Sequence, residues 1–410
     1  MSGNIARQGS EPSGIARLPI RRLFIAAIAA GLLTGCATTR EPAIVLTGNL
    51  MVDGPNAIER GPAKDKVLWQ YRTAAAAMRR GEFELAKRYL DDALLTLGGI
   101  YGRDKSARKA RGYFNEESRK TFIGEPYERV MAYFYRGVLY WMDGEPDNAR
   151  ACFRTAQLED SGTEEQSFAA DYAILDYLDG LASVKLGGDG SDSLQRAEKA
   201  SKLSRLPPYN PAANVLFLIE YGRGPAKYGG GEYGEQLRFR ETPSPVRLAK
   251  VTVGEQLLSA GACDDLFYQA TTRGGRLMDH VLGNKAVFKS TTGAIGDVGI
   301  IGGAVMATQR GRNSVADEVG LGLLAAGVLS KLVSSATTPE ADVRAWDNLP
   351  RFLTFAHLQL PPGIHSATIE FQDGAGRPLT QLTKSFTINV PETGDKVVFV
   401  SDQSVTPQTL

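Results

Sequence analysis

Three cysteines and three histidines are the whole supply of thiol and imidazole metal ligands in 410 residues. So few cysteines exclude a disulfide framework. His280, His357 and His365 stand nowhere at ligand spacing from a cysteine, another histidine or a carboxylate, so no metal centre and no cofactor are expected. His357 and His365 are expected to face each other across a hairpin at Pro361-Pro362-Gly363. The chain also lacks a Gly-x-Ser-x-Gly elbow, a phosphate loop closing on Lys-Ser/Thr, and a Cys-x-x-Cys pair. Gly296 to Gly303 has glycines in the manner of a dinucleotide turn, but no strand–turn–helix unit surrounds it. Asp91-Asp92 and Asp264-Asp265 read as solvated carboxylates rather than acid–base pairs. Gly222 to Tyr228 reads as a tight turn, with an anion nest served by Arg223 and Lys227 as the alternative. These absences point away from an enzyme. Nor is there charge of one sign: 47 basic side chains face 46 acidic ones, which gives no reason to expect nucleic acid as a partner.

The first 35 residues read as targeting rather than fold. Arg7, Arg17, Arg21 and Arg22 precede an apolar run, Leu23 to Leu33, far short of the roughly 20 residues a membrane-spanning helix needs. A basic start, a short apolar core and small residues at its end define a secretory signal. The run closes on Leu33-Thr34-Gly35-Cys36, which resembles the lipobox of bacterial lipoproteins. That resemblance implies cleavage before Cys36, lipid on its sulfur, and attachment to a membrane through acyl chains. Arg21-Arg22-Leu23-Phe24-Ile25 also fits a twin-arginine signal in part, with Ile20 where Ser or Thr is usual. Ala37 leans towards outer-membrane sorting, facing the periplasm. With Cys36 lipidated, Cys152 and Cys263 remain. A bridge between them is allowed in that compartment, while the position of Cys152 beside Phe153 on a helix face makes it equally a core residue.

The expected architecture is α+β. Residues 36–66 form the lipidated N-terminus and a turn-rich tether. Residues 67–205 carry a helical pattern that repeats: Gly81, Ala86 and Ala93 share their spacing with Gly144, Ala149 and Ala156, and a weaker third unit contains Gly180, Gly187 and Ala200. That spacing is the one found in tetratricopeptide (TPR) repeats, although the intervals between units exceed the usual period of about 34 residues. A plain helical bundle is the alternative. Pro207-Pro208 ends the pattern, and residues 206–290 follow as a mixed β region with runs at Val215–Tyr221, Val246–Val253 and Asp265–Thr272. Residues 291–335 are a Gly/Ala-rich helical hairpin, packed on the body or associated with a membrane. Residues 340–403 alternate between Pro and Gly turns, as a small antiparallel sandwich does.

Three stretches go beyond patterning: Gly124-Glu125-Pro126-Tyr127-Glu128-Arg129-Val130-Met131 running on to Arg154, Gly222-Arg223-Gly224-Pro225-Ala226-Lys227, and Arg344-Ala345-Trp346-Asp347-Asn348-Leu349-Pro350 leading into Leu360-Pro361-Pro362-Gly363. Together they resemble an uncharacterised bacterial lipoprotein family with TPR-like helices. The resemblance implies a helical repeat followed by β structure, anchored by lipid, and brings no catalytic residues with it. The expectation is therefore an envelope scaffold or adaptor that presents a groove of stacked helix pairs to a protein partner. Tyr71, Arg129, Tyr133 and Arg136, on first helices of units, are the partner-binding candidates. A membrane-associated, homo-oligomeric protein using residues 291–335 is the alternative.

Overall fold

The computed structural model describes residues 44–101, 120–161, 168–232, 234–272 and 341–405. Cys36, His280 and the Gly/Ala-rich stretch 291–335 lie outside the described residues.

Part of the expected tether is a helix, α1 (Leu50–Arg60). The Asn49 side chain accepts from Met51 N at 3.1 Å, and Asp53 accepts from both Thr47 and Gly48 backbone N–H groups at 2.8 Å. The Asn49 bond satisfies a backbone donor that the helix start leaves unpaired, and Asp53 holds the turn that precedes it. Gly54-Pro55 reads as a turn in the sequence. Here Gly54 instead lets α1 press onto α2 (Lys66–Arg79), because a Cβ would stand 1.9 Å from Thr73 Oγ1.

Six helices then form three successive pairs. They are α2 with α3 (Phe83–Tyr101), α4 (Pro126–Met142) with α5 (Pro146–Asp160), and α6 (Ala173–Lys185) with α7 (Ser191–Ala200). Each first helix ends the same way. Gly81, Gly144 and Gly187 adopt φ of +72°, +80° and +83°. The residue after each glycine donates back five residues: Glu82 to Ala77 O, Glu145 to Tyr140 O, and Gly188 to Ser183 O. The glycine itself closes the inner bond, to Met78, Trp141 and Val184 O respectively. This Schellman arrangement needs a left-handed residue, which glycine supplies without a Cβ clash.

The strands build two four-stranded sheets and a ribbon. The first sheet has the order β10 (Lys396–Ser401), β1 (Val215–Tyr221), β7 (Phe352–Leu358), β6 (Asp264–Asp265). In it β1 runs parallel to β10 and antiparallel to β7. The second has the order β5 (Gln256–Ala260), β4 (Leu248–Val253), β8 (Gly363–Gln372), β9 (Lys384–Val390), all antiparallel. The ribbon pairs β2 (Ala226–Gly230) with β3 (Gln236–Arg240).

Side-chain parity sorts these elements into three layers. Leu216, Leu218, Leu353, Phe355, Val397 and Phe399 face the helices and join their core. The alternate residues, among them Val215, Phe217, Ile219, Val398 and Val400, pack against Val251, Ile369 and Ile388 of the second sheet. Strand β1 is therefore buried on both faces, which suits a continuous apolar run better than an alternating one.

The class is α+β, but the β regions are not separate. Each sheet draws strands from both 206–290 and 340–403, and that interleaving buries both faces of β1. Two local expectations also change. Asp265–Thr272 is largely helix α8 (Leu266–Thr271), because Asp265 caps it by accepting from Phe267 N at 2.8 Å. Pro361-Pro362-Gly363 is a crossover between sheets, so His357 and His365 do not face each other. His357 lies in the first sheet near Phe355 and Tyr177, and His365 is half-buried in the second, against Pro361 O.

Candidate functional site

The four partner-binding candidates do not line an open groove. Tyr71 is fully buried and stacks on Trp346, ring centroids 4.4 Å apart. Arg129 reaches Glu159 at 2.6 Å and Gly124 O at 2.8 Å. Arg136 pairs with Asp91 at 2.6 Å and lies over the Tyr140 ring at 3.6 Å. Tyr133 is half-buried against the helical core. The physical reason is the layer beneath: the first helices α2, α4 and α6 contact β10 or β7, so the chain's own sheet covers the side on which a partner was expected.

The three resemblance stretches meet at one buried junction. Glu128, at the third position of α4, accepts from Glu125 N at 2.6 Å and Trp346 N at 2.7 Å. Lys227 Nζ of β2 sits 2.6 Å from the same carboxylate and donates to Arg344 O at 3.0 Å. The two side chains are 0% and 2% exposed, so neither charge is available to a ligand. Lys227 also lies over the rings of Phe122 and Tyr127. Arg344 ties the segment before β7 to the helical side through Asp65 at 2.6 Å and Lys120 O at 2.9 Å. The anion nest is thus not formed: Lys227 turns inward, and Gly222 N donates to Asp402 at 3.0 Å.

A second buried network crosses the same interface. Arg79 of α2 pairs with Glu220 of β1 at 2.7 Å, and the Tyr135 hydroxyl of α4 donates to the same carboxylate. Burial works against the Arg79 charge, and Glu220, Tyr135 and Asp402 together more than offset it. Burial and the Glu220 charge together push the Tyr135 phenol well above its ordinary range. Burial also lifts Asp402 to about 6.

Asp264 proves buried, not solvated. From β6 it accepts from Ala173 N at 3.0 Å and Ile174 N at 2.8 Å, capping α6 across the layers. Burial pushes its carboxyl up to about 7, against the pull of those two donors. Asp265 pairs with Arg351 at 2.9 Å, and Asp91 with Arg136 as above. Cys152 and Cys263 are both free thiols, and burial raises them to about 11 and about 12. Both are therefore poor nucleophiles at neutral pH. Among the described residues no group of three His, Cys, Asp or Glu could hold a metal, and no helix is long and apolar enough to cross a membrane.

No protein-family model, curated protein or solved structure matches the chain.

Another polar cluster among the described residues is open to solvent. A cleft of about 230 Å³ between α5, α6 and α7 is lined by Arg154, Gln157, Ala170, Asp176, Asp179 and Arg196. Asp179 receives Arg150 at 2.9 Å, Arg154 at 3.2 Å and Ser193 at 2.7 Å, and Asp176 receives Arg196 at 3.1 Å. Ala170 adopts φ of +52° at its edge, a conformation unusual for a residue with a Cβ. The helical periodicity places Asp176 and Asp179 on one face of α6 and Arg150 and Arg154 on one face of α5. A hydrophobicity-led reading passes over such a pattern as an ordinary solvated surface.

Glu128 and Lys227 lay within quoted stretches, yet nothing local marked them as buried. Charged side chains are rarely interior, and their pairing joins residues far apart in the chain.

Proposed function

We propose that the chain is a lipid-anchored scaffold or adaptor of the bacterial cell envelope, tethered through Cys36, whose three helix pairs are TPR-like units that hold a protein partner. The carrying observation is the buried locking of α2 and α4 to the sheets by Arg79–Glu220 and Glu128–Lys227. Helices and sheets tied in this way form one rigid support. The groove side of the helical layer faces the chain's own sheet, so the partner surface is assigned to the second helices α3, α5 and α7. Their outer positions include the exposed Leu95 and Leu158. Stacked helix pairs offer a broad surface suited to protein binding, and the lipobox-like end places that surface at a membrane.

The test is site-specific photocrosslinking in living cells from Leu95 and Leu158, with Leu353 as a buried control. One dominant envelope protein crosslinked from the two exposed sites supports an adaptor. Ladders of the chain itself point instead to the oligomer-forming alternative that uses residues 291–335.

A further inference from the structure

The cleft between α5, α6 and α7 keeps part of its guanidinium surface unused. Asp179 is only 3% exposed, whereas Arg154 and Arg196 are 62% and 51% exposed. Both arginines turn their Nε inward, to Asp179 and Asp176. Arg196 Nη2 is taken by Ser193 at 3.0 Å. Neither terminal nitrogen of Arg154, nor Arg196 Nη1, makes a hydrogen bond among the described residues. The buried aspartates therefore act as struts. They fix the arginines at the Nε end and leave donors aimed outward, already ordered before any ligand arrives.

Three guanidinium groups, those of Arg150, Arg154 and Arg196, stand against two carboxylates. The excess is one positive charge, which suits a ligand bearing one negative charge. A single carboxylate matches that excess. A phosphate brings more negative charge close to Asp176 and Asp179.

We propose that this cleft seats an acidic side chain of a protein partner, its carboxylate held by Arg154 and Arg196. The proposal rests on the adaptor reading and names the chemistry of the segment that would be bound.

The experiment uses the purified full chain in neutral detergent and a dye-labelled, end-blocked hexaglutamate peptide, with hexaglutamine as the uncharged comparison. Fluorescence anisotropy reads the affinity. Hexaglutamate is expected to bind in preference to hexaglutamine. Arg154→Gln is expected to weaken it about tenfold, the loss that follows from removing one charged hydrogen-bond donor. Arg154→Lys should recover part of that loss. Arg238→Gln, on the exposed side of the β2–β3 ribbon, should leave the affinity unchanged. Arg154 is exposed enough that the melting temperature of Arg154→Gln should match the parent, which separates lost binding from lost folding. Equal binding of the two peptides, equal loss from Arg154→Gln and Arg238→Gln, or displacement of hexaglutamate by equimolar inorganic phosphate would each overturn the proposal. A dominant crosslinked partner in cells together with no hexaglutamate binding would overturn this assignment and leave the adaptor reading standing.

Discussion

Lys227 Nζ lies 2.6 Å from the Glu128 carboxylate with both side chains withdrawn from water, one on a β-ribbon and the other in the first turn of a helix. Buried ion pairs gain little over apolar packing, but breaking one leaves a charge stranded. Lys227→Met should therefore lower unfolding free energy by about 3–5 kcal/mol. Adding Glu128→Gln should restore part of it, because glutamine removes the stranded charge while still accepting from Trp346 N. Urea denaturation of the parent, the single and the double variant measures both. A single variant as stable as the parent would sink the account.

Gly137 lies where α4 meets α5, and an added Cβ would stand 2.6 Å from Phe153 Cε1. Alanine in a helix is favoured over glycine by about 1 kcal/mol, whereas overpacking a filled core costs about 1–3 kcal/mol. Gly137→Ala should be net destabilising, and Phe153→Leu in the same chain should recover part of the loss by clearing the ring edge. Thermal melts of the two variants check the sign. Stabilisation by Gly137→Ala would show that the ring yields freely.

The Asp264 carboxyl sits at about 7 in the fold, above its ordinary value of 3.8. An acid raised by folding keeps its proton longer in the native state than in the unfolded one. Its contribution to stability is therefore fully present below about 4 and declines as pH rises through about 7. Asp402, raised to about 6, acts in the same direction. Asp264→Asn keeps an acceptor for the α6 terminus and cannot ionise. Relative to the parent, it should grow more stable as pH moves from 5 to 8. Chemical denaturation across that range tests this, and a difference that does not vary with pH would refute the assignment.

The lipobox-like Leu33-Thr34-Gly35-Cys36 makes a separate prediction at the N-terminus. Cys36→Ala should abolish incorporation of a labelled lipid precursor and move the chain from the membrane fraction to the soluble one. Continued labelling of that variant would remove the anchor from the account.

Much of the local structure was legible because its causes are local. Gly81 and Gly144 announce left-handed helix ends, and Val215–Tyr221 carries the β-branched and aromatic run of an interior strand. Leu50–Arg60 was missed because its helix-breaking Gly54-Pro55 is tolerated through contact with Thr73, a residue of another helix. Asp265–Thr272 was misread because a short apolar run with aromatic residues suits strand and helix alike, and only the cap at Asp265 decides it.

The candidate site was less legible. The sequence placed Tyr71, Arg129, Tyr133 and Arg136 on first helices, but periodicity marks a face without saying what covers it. Strand pairing is just as remote: Val215 lies beside Lys396 and opposite Leu358. The sequence by itself determined the punctuation of the chain, its α+β class and the residues that lean on one another within a helix turn. Only the tertiary structure decided that two β regions share both sheets, that the groove side of the helices is covered from within the chain, and that Lys227 is buried on Glu128. Those outcomes depend on burying both faces of β1 at once, a requirement that the apolar run of β1 announces without naming the distant segments that meet it.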